Sequence, residues 1–267
     1  MKSAIPILLY HSVSDTPTGD FGTFTVSRSQ FAAHLDRLLA SEFHTLTIGQ
    51  VVERVTASQP LPERTAVISV DDGFADFAAN AWPELQQRGM NATLYMTAGA
   101  IGGRSNWLAP LQAGQMAMLD RQQLLSLAAQ GCEVGAHSMS HPQLDCLPPH
   151  QAAQEIWQCK DVLEQILGQS VDSFAYPHGY HDRQVRQMVV DAGYSSASAV
   201  KDALSHPDDD RFALARVTMK ASFDDAKIDQ VLAGEGLARA RQRERWRTRG
   251  WRHVRRWQHR QRGGEAA

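Results

Sequence analysis

Short apolar runs alternate with longer stretches of helical period along most of the chain, and this alternation limits the fold more than any other feature. The runs are IPILLY (5–10), TAVISV (65–70), ATLYMT (92–97), CEVGA (132–136), SFAY (173–176) and YSSASA (194–199). Apolar residues recur at helical spacing near 28–41, 48–57, 74–88, 120–130, 149–167 and 181–192. Gly89, Gly131, Gly168 and Gly193 each follow such a segment, where a glycine closes a helix. Strands covered by crossover helices form a parallel sheet, so the fold class is α/β, as a barrel or an open doubly wound sheet. With 267 residues, 43% of them hydrophobic, the chain supports one such core without cross-links.

The net charge of −2 conceals an asymmetry. Residues 236–267 hold eleven Arg, no Lys and two Glu, so a basic tail follows an acidic body, and two parts are expected: a domain over 1–235 and an Arg/Trp-rich tail over 236–267, helical or disordered. Trp246, Trp251 and Trp257 among the arginines would suit an anionic membrane surface, although their spacing makes no clean helical stripe. Nucleic acid has only charge in its favour. Cys132, Cys146 and Cys159 form no C-x-x-C, which argues against a disulfide framework or a cysteine zinc site. The opening MKSAIPILLYHSVSD is too short in apolar residues for a signal sequence and reads as a first strand, which makes the cytoplasm the expected location.

The chemistry concentrates at strand ends. In AVISVDDGF (66–74) a buried strand delivers Asp71 and Asp72 side by side, ahead of Gly73. Adjacent carboxylates repel, so either a cation neutralises one or one holds a proton. In EVGAHSMSHPQL (133–144) another strand ends in His137, with His141 four residues on and Pro142 behind it. Imidazole is a standard zinc ligand, and Pro142 disfavours the helical conformation at His141, so a broken turn is expected there. A third strand end, SFAYPHGYHD (173–182), brackets His178 between Pro177 and Gly179 in a turn whose N–H groups suit an oxyanion. The connection 98–119, rich in glycine and carrying Trp107, is long enough to be functional.

With these residues the sequence resembles the polysaccharide deacetylase family, the NodB-homology carbohydrate esterases. SVDDG stands where the family has Thr-Phe-Asp-Asp-Gly, HSMSHP matches His-Ser-x-x-His-Pro, and FAYPHG matches the third motif. The resemblance spans roughly residues 4–220. It implies a distorted (β/α) barrel, a divalent metal, usually Zn2+, and hydrolysis of an N-acetyl, sometimes O-acetyl, group on a sugar, here an N-acetylated glycan or sugar precursor, including exopolysaccharide precursors. Carried over, Asp72, His137 and His141 would hold the metal and Asp71 would be the general base, with Tyr176, Pro177, His178 and Gly179 at the substrate and oxyanion. A cytoplasmic enzyme of this kind, peripheral at the inner face of the membrane through its tail, would meet precursors and not finished wall polymer.

Two departures stand out. The third motif of the family commonly begins with an Arg that orients the base, and Ala175 occupies that place; the late motif ending in an acid His has no match in RFALARVTM (211–219). His11, His178 and His206 are the candidate acids. His11 is preferred, because Tyr10-His11 ends the first strand and family members with an N-terminal Tyr-His, among them deacetylases of exported poly-N-acetylglucosamine, share Ala-Tyr-Pro in the third motif. Arg216 is a candidate for the missing Arg. Two alternatives stay open: hydrolysis of another non-peptide C–N bond, such as a cyclic imide or peptidoglycan amide, and a catalytically weak metal- or glycan-binding protein.

Overall fold

The structure is a computed structural model and describes residues 4–237, 240, 250–252 and 254–256. In chain order its strands are β1 (Ile7–Tyr10), β2 (Ser12–Val13), β3 (Thr25–Val26), β4 (His44–Leu46), β5 (Thr65–Val70), β6 (Thr93–Met96), β7 (Glu133–Ala136), β8 (Ser173–Ala175), β9 (Ser196–Ser198) and β10 (Val217–Thr218). The α-helices are α1 (Arg28–Ala40), α2 (Ile48–Thr56), α3 (Trp82–Gln87), α4 (Arg121–Ala129), α5 (Pro149–Leu167), α6 (Arg183–Asp191) and α7 (Asp225–Ala233). One sheet runs β10-β1-β5-β6-β7-β8-β9, with β4 also on β5, and every pairing in it is parallel. Helices wrap this curled sheet in a distorted (β/α) barrel of the NodB-homology type.

All six residues of β5 are buried, and so are those of β1 and β6. A parallel strand covered on both faces needs such continuous apolar sequence, which is why these runs are legible. The helices begin where side chains satisfy their free amides: Thr47 with Gln50 and Asp120 with Gln123 form reciprocal caps, and Asp182 accepts from the Val185 amide. Gly89, Gly131, Gly168 and Gly193 all have positive φ, as their places after helical segments required. The expected helix over 74–88 is interrupted, with a π-turn at Phe77–Ala81 ahead of α3.

The sequence pattern is least informative at the sheet edges. β4 and β10 are not among the apolar runs of the sequence, and β10 pairs with β1 through Leu8–Val217 and Leu9–Thr218. The basic tail was expected to be a solvated helix or a disordered arm. Residues 250–252 and 254–256 are helical, and Arg252, Arg255 and Arg256 bond to the loops that follow β7 and β8. Trp246 and Trp257 lie outside the described residues. The cysteines are free, with Cys132 and Cys159 buried. No helix among the described residues is long and apolar enough to cross a membrane.

Candidate active site

Parallel strands present their carboxyl ends to one rim, and the motif residues meet there. Asp71 and Asp72 leave β5; Asp72 (φ +74°) and Gly73 (φ +88°) turn the chain sharply, and the turn is held by the Thr97 amide on the Asp72 carbonyl at 3.2 Å. His137 follows β7, its amide donating to the Met96 carbonyl at 2.9 Å. His141 has φ +62° and donates its amide to Ser138 Oγ at 3.0 Å, the broken turn that Pro142 implied.

Asp72 Oδ1 is 3.2 Å from His141 Nε2 and 3.5 Å from His137 Nε2. The three ligand-type atoms lie within 4.8 Å of one another, and all three residues are buried. His137 Nδ1 donates to the Ala175 carbonyl at 2.8 Å, which fixes the ring so that Nε2 is the atom turned toward Asp72. Asp72 Oδ1 is buried with no hydrogen-bond partner. Burial opposes ionisation of Asp72, but the imidazoles of His141 and His137 hold its carboxyl well below the usual range. Burial likewise pushes His137 down, and Asp71 and Asp72 more than reverse this. Two imidazole Nε2 atoms and an orphaned carboxylate oxygen, converging in a buried site beside a second carboxylate, fit a divalent metal bound by these three residues.

Asp71 is fixed by a residue the motifs did not contain. Arg216, fully buried, donates from Nη1 to Asp71 Oδ1 at 2.6 Å and from Nη2 to Oδ2 at 2.8 Å. Its Nε donates to the Ala199 carbonyl at 3.2 Å, and its guanidinium sits 5.4 Å from the centre of the Tyr95 ring. Burial would raise the Asp71 pKa; Arg216 and His137 outweigh it and keep the carboxyl ionised. The guanidinium at Asp71 thus comes from the residue before β10 and not from position 175.

Tyr10 registers with Val70, so the next residues, His11 and Asp71, leave neighbouring strands at the same level. Burial lowers the His11 pKa, against the opposing pull of Asp72 and Asp71, and its Nδ1 has no partner. His206 is excluded from this rim: Ser205 bridges Ile5, at the opposite end of β1. His178, φ +58°, packs edge-on against His141 with ring centres 4.6 Å apart, and burial drives its pKa down to about 3. The Gly179 and Tyr180 amides donate back to the Tyr176 and Pro177 carbonyls, which closes the turn around His178. Tyr176 and Pro177 are buried supports, the Tyr176 hydroxyl donating to the Phe212 carbonyl at 3.0 Å. From the long connection, Trp107 stacks on His141 at 5.2 Å, a contact no motif signalled.

A curled parallel barrel with a carboxylate–imidazole cluster and an Arg-held carboxylate at its rim defines a barrel hydrolase of the carbohydrate esterase type. The chain belongs to the polysaccharide deacetylase family, whose profile matches residues 58–197. It is thus a carbohydrate deacetylase, a hydrolase of non-peptide carbon–nitrogen bonds. YxkH of Bacillus subtilis (strain 168), named as a polysaccharide deacetylase, is 26% identical over 213 residues, 80% of this chain and 70% of that protein. The Streptococcus pyogenes deacetylase PplD in complex with acetate has the same fold at TM-score 0.74 and 20% identity, over 87% of this chain and 99% of PplD. IcaB from Ammonifex degensii matches at TM-score 0.73 and 22% identity, over 86% and 96%. A de-N-acetylase from Aggregatibacter actinomycetemcomitans matches at TM-score 0.74 and 16% identity, over 86% and 100%.

Proposed function

We propose that this chain is a metal-dependent deacetylase of an N-acetylated sugar or exopolysaccharide precursor, with Asp72, His137 and His141 holding a divalent metal, Zn2+ by the character of the ligands. The observation that carries the reading is the orphaned Asp72 Oδ1 facing two imidazole Nε2 atoms, beside an ionised Asp71. A bound dication would supply Lewis acidity toward water and the acyl oxygen. Asp71, oriented by Arg216, takes a proton from the attacking water. The His178 amide donates to the acyl oxygen as it gains charge. His11, neutral at rest because it is buried, relays a proton to the leaving amine.

Arg216 and His11 occupy the roles that the departures in the motifs left open, and they support an active enzyme over a catalytically weak binding protein. The proposed cytoplasmic, membrane-peripheral setting would rest on tail arginines other than Arg252, Arg255 and Arg256, which are engaged on the domain. Zinc-loaded protein should release acetate from N-acetylglucosamine oligomers; Asp71→Asn should abolish release with zinc still bound, and His137→Ala should lose zinc. Absence of acetate across an oligomer panel, with one zinc bound per chain, overturns the reading.

A further inference from the structure

Three described arginines of the tail, Arg252, Arg255 and Arg256, converge on Asp145 and the residues around it. Asp145, buried in the short 3-10 turn Leu144–Cys146, receives Arg255 Nη1 on Oδ1 at 2.8 Å and Arg255 Nη2 on Oδ2 at 2.7 Å, with Arg252 Nε on Oδ2 at 3.0 Å. Arg255 Nη1 also donates to Gln143 Oε1 at 3.1 Å, and its guanidinium lies 3.8 Å over the Tyr180 ring. Arg256 Nε donates to the Asp145 carbonyl at 2.7 Å and Nη2 to Asp182 Oδ2 at 3.1 Å. Arg252 Nη2 donates to the His181 carbonyl at 3.4 Å.

These anchor points lie on the chain segments that continue from His141 and His178. Asp145 is four residues past His141, and residues 180–182 follow His178 and Gly179. His141 and His178 both hold positive φ, a conformation that side chains other than glycine rarely adopt and that persists only where the surroundings over-determine it. Asp182 serves twice, capping α6 through Oδ1 while Oδ2 takes Arg256. The guanidinium fork of Arg255 matches the carboxylate of Asp145 atom for atom, which fixes orientation as well as distance.

We propose that the C-terminal arm is a clamp on the catalytic rim: Arg255, acting through Asp145, is a positioning residue that, with Arg252 and Arg256, holds the His141 loop and the His178 turn in register. This rests on the reading of His141 as a ligand and of the His178 amide as an oxyanion donor. The arm is then part of the working enzyme and not an appendage to it.

The test uses the full-length chain carrying Arg255→Ala, Arg255→Lys or the triple Arg252→Ala/Arg255→Ala/Arg256→Ala, with Arg37→Ala as a control, since Arg37 pairs with Asp225 on α7. Hydrogen exchange on metal-free protein should speed up in residues 138–147 and 177–183 of Arg255→Ala and stay unchanged in β5. Zinc should bind about tenfold more weakly by chelator competition, and kcat should fall by about tenfold with KM within about threefold, the range for outer-shell partners of metal ligands. Arg255→Lys, which keeps the charge without the fork, should fall between, and Arg37→Ala should match the parent. Unchanged exchange in both loops of the triple variant overturns the clamp. So does a uniform rise in exchange over the whole chain with kcat unaltered, which marks the arm as general stabilisation. If even the parent releases no acetate, the proposed function fails, while exchange and zinc affinity still decide the clamp.

Discussion

Arg216 and Asp71, 145 residues apart in sequence, form a buried two-pronged ion pair at 2.6 and 2.8 Å in which each partner is closed off from solvent. A carboxylate so placed stays ionised despite burial, and its two oxygens have fixed directions. The pair gives the end of β5 an ionised carboxylate of fixed orientation, as the proposed role of Asp71 as base requires.

Arg216→Ala leaves the Asp71 charge buried without its partner, which costs about 3–5 kcal/mol. Acetate release should fall about a hundredfold, because the freed carboxylate loses its aim. Arg216→Lys should recover part of the stability but little of the rate, since an ammonium cannot grip both oxygens. Urea unfolding and steady-state kinetics measure the two effects; unchanged kcat in a folded Arg216→Ala variant would exclude the orienting role.

The sequence shows some of these features plainly and hides others, for physical reasons. Strands such as TAVISV stand out because burial on both faces demands unbroken apolar sequence, and helix ends stand out through their glycines. Asp72, His137 and His141 were legible because each closes such a strand or the turn after it. Arg216 was not, beyond a guess, because RFALARVTM has no periodicity and β10 has two residues; the meaning of Arg216 lies wholly in a partner across the sheet. The tail was readable as charge, but its seat on Asp145 depends on an acid 110 residues away.

Stability in the metal-free protein should carry opposing pH signatures from two buried groups. Burial lowers the His181 pKa to about 4, so between about pH 4 and 6.5 the unfolded chain binds a proton that the folded chain does not, and stability rises with pH. Burial raises Asp76 to about 6, so between about pH 4 and 6 the folded chain holds the extra proton and stability falls as pH rises. Each proton is worth about 1.4 kcal/mol per pH unit. Asp76→Asn should steepen the rise over pH 4–6 by about that amount, and His181→Phe, which keeps the stack on Tyr176, should flatten it equally. Denaturant unfolding at half-unit pH steps reads both slopes, and identical slopes in all three proteins would refute the assignment.

Trp107 braces His141, a proposed metal ligand, by its face alone. Its ring is 5.2 Å from His141 at 23°, while its Nε1 is buried without a partner. Aromatic pairs add about 0.5–1.5 kcal/mol beyond burial, so Trp107→Ala should weaken zinc binding by up to roughly tenfold. Trp107→Phe keeps a face and gives up no hydrogen bond, so its zinc affinity should remain within about twofold of the parent. Equal affinities for Trp107→Ala and the parent would show that His141 needs no brace.

Gly73 is the hinge of the carboxylate turn, and two separate constraints act on it. Its φ of +88° is one that residues with side chains rarely adopt, and an added Cβ would stand 2.1 Å from Met96 Sδ, in a side chain that is itself fully buried. Gly73→Ala should therefore cost about 2–4 kcal/mol, from backbone strain and overpacking together. Pairing it with Met96→Ala separates the causes. Removing the thioether relieves the clash, so the double variant should be more stable than the sum of the single losses. The backbone strain remains and still displaces Asp72, so zinc affinity should stay low in the double variant. Recovery of parental zinc affinity there would mean that the Met96 clash alone, and not the φ of the turn, governs where Asp72 sits.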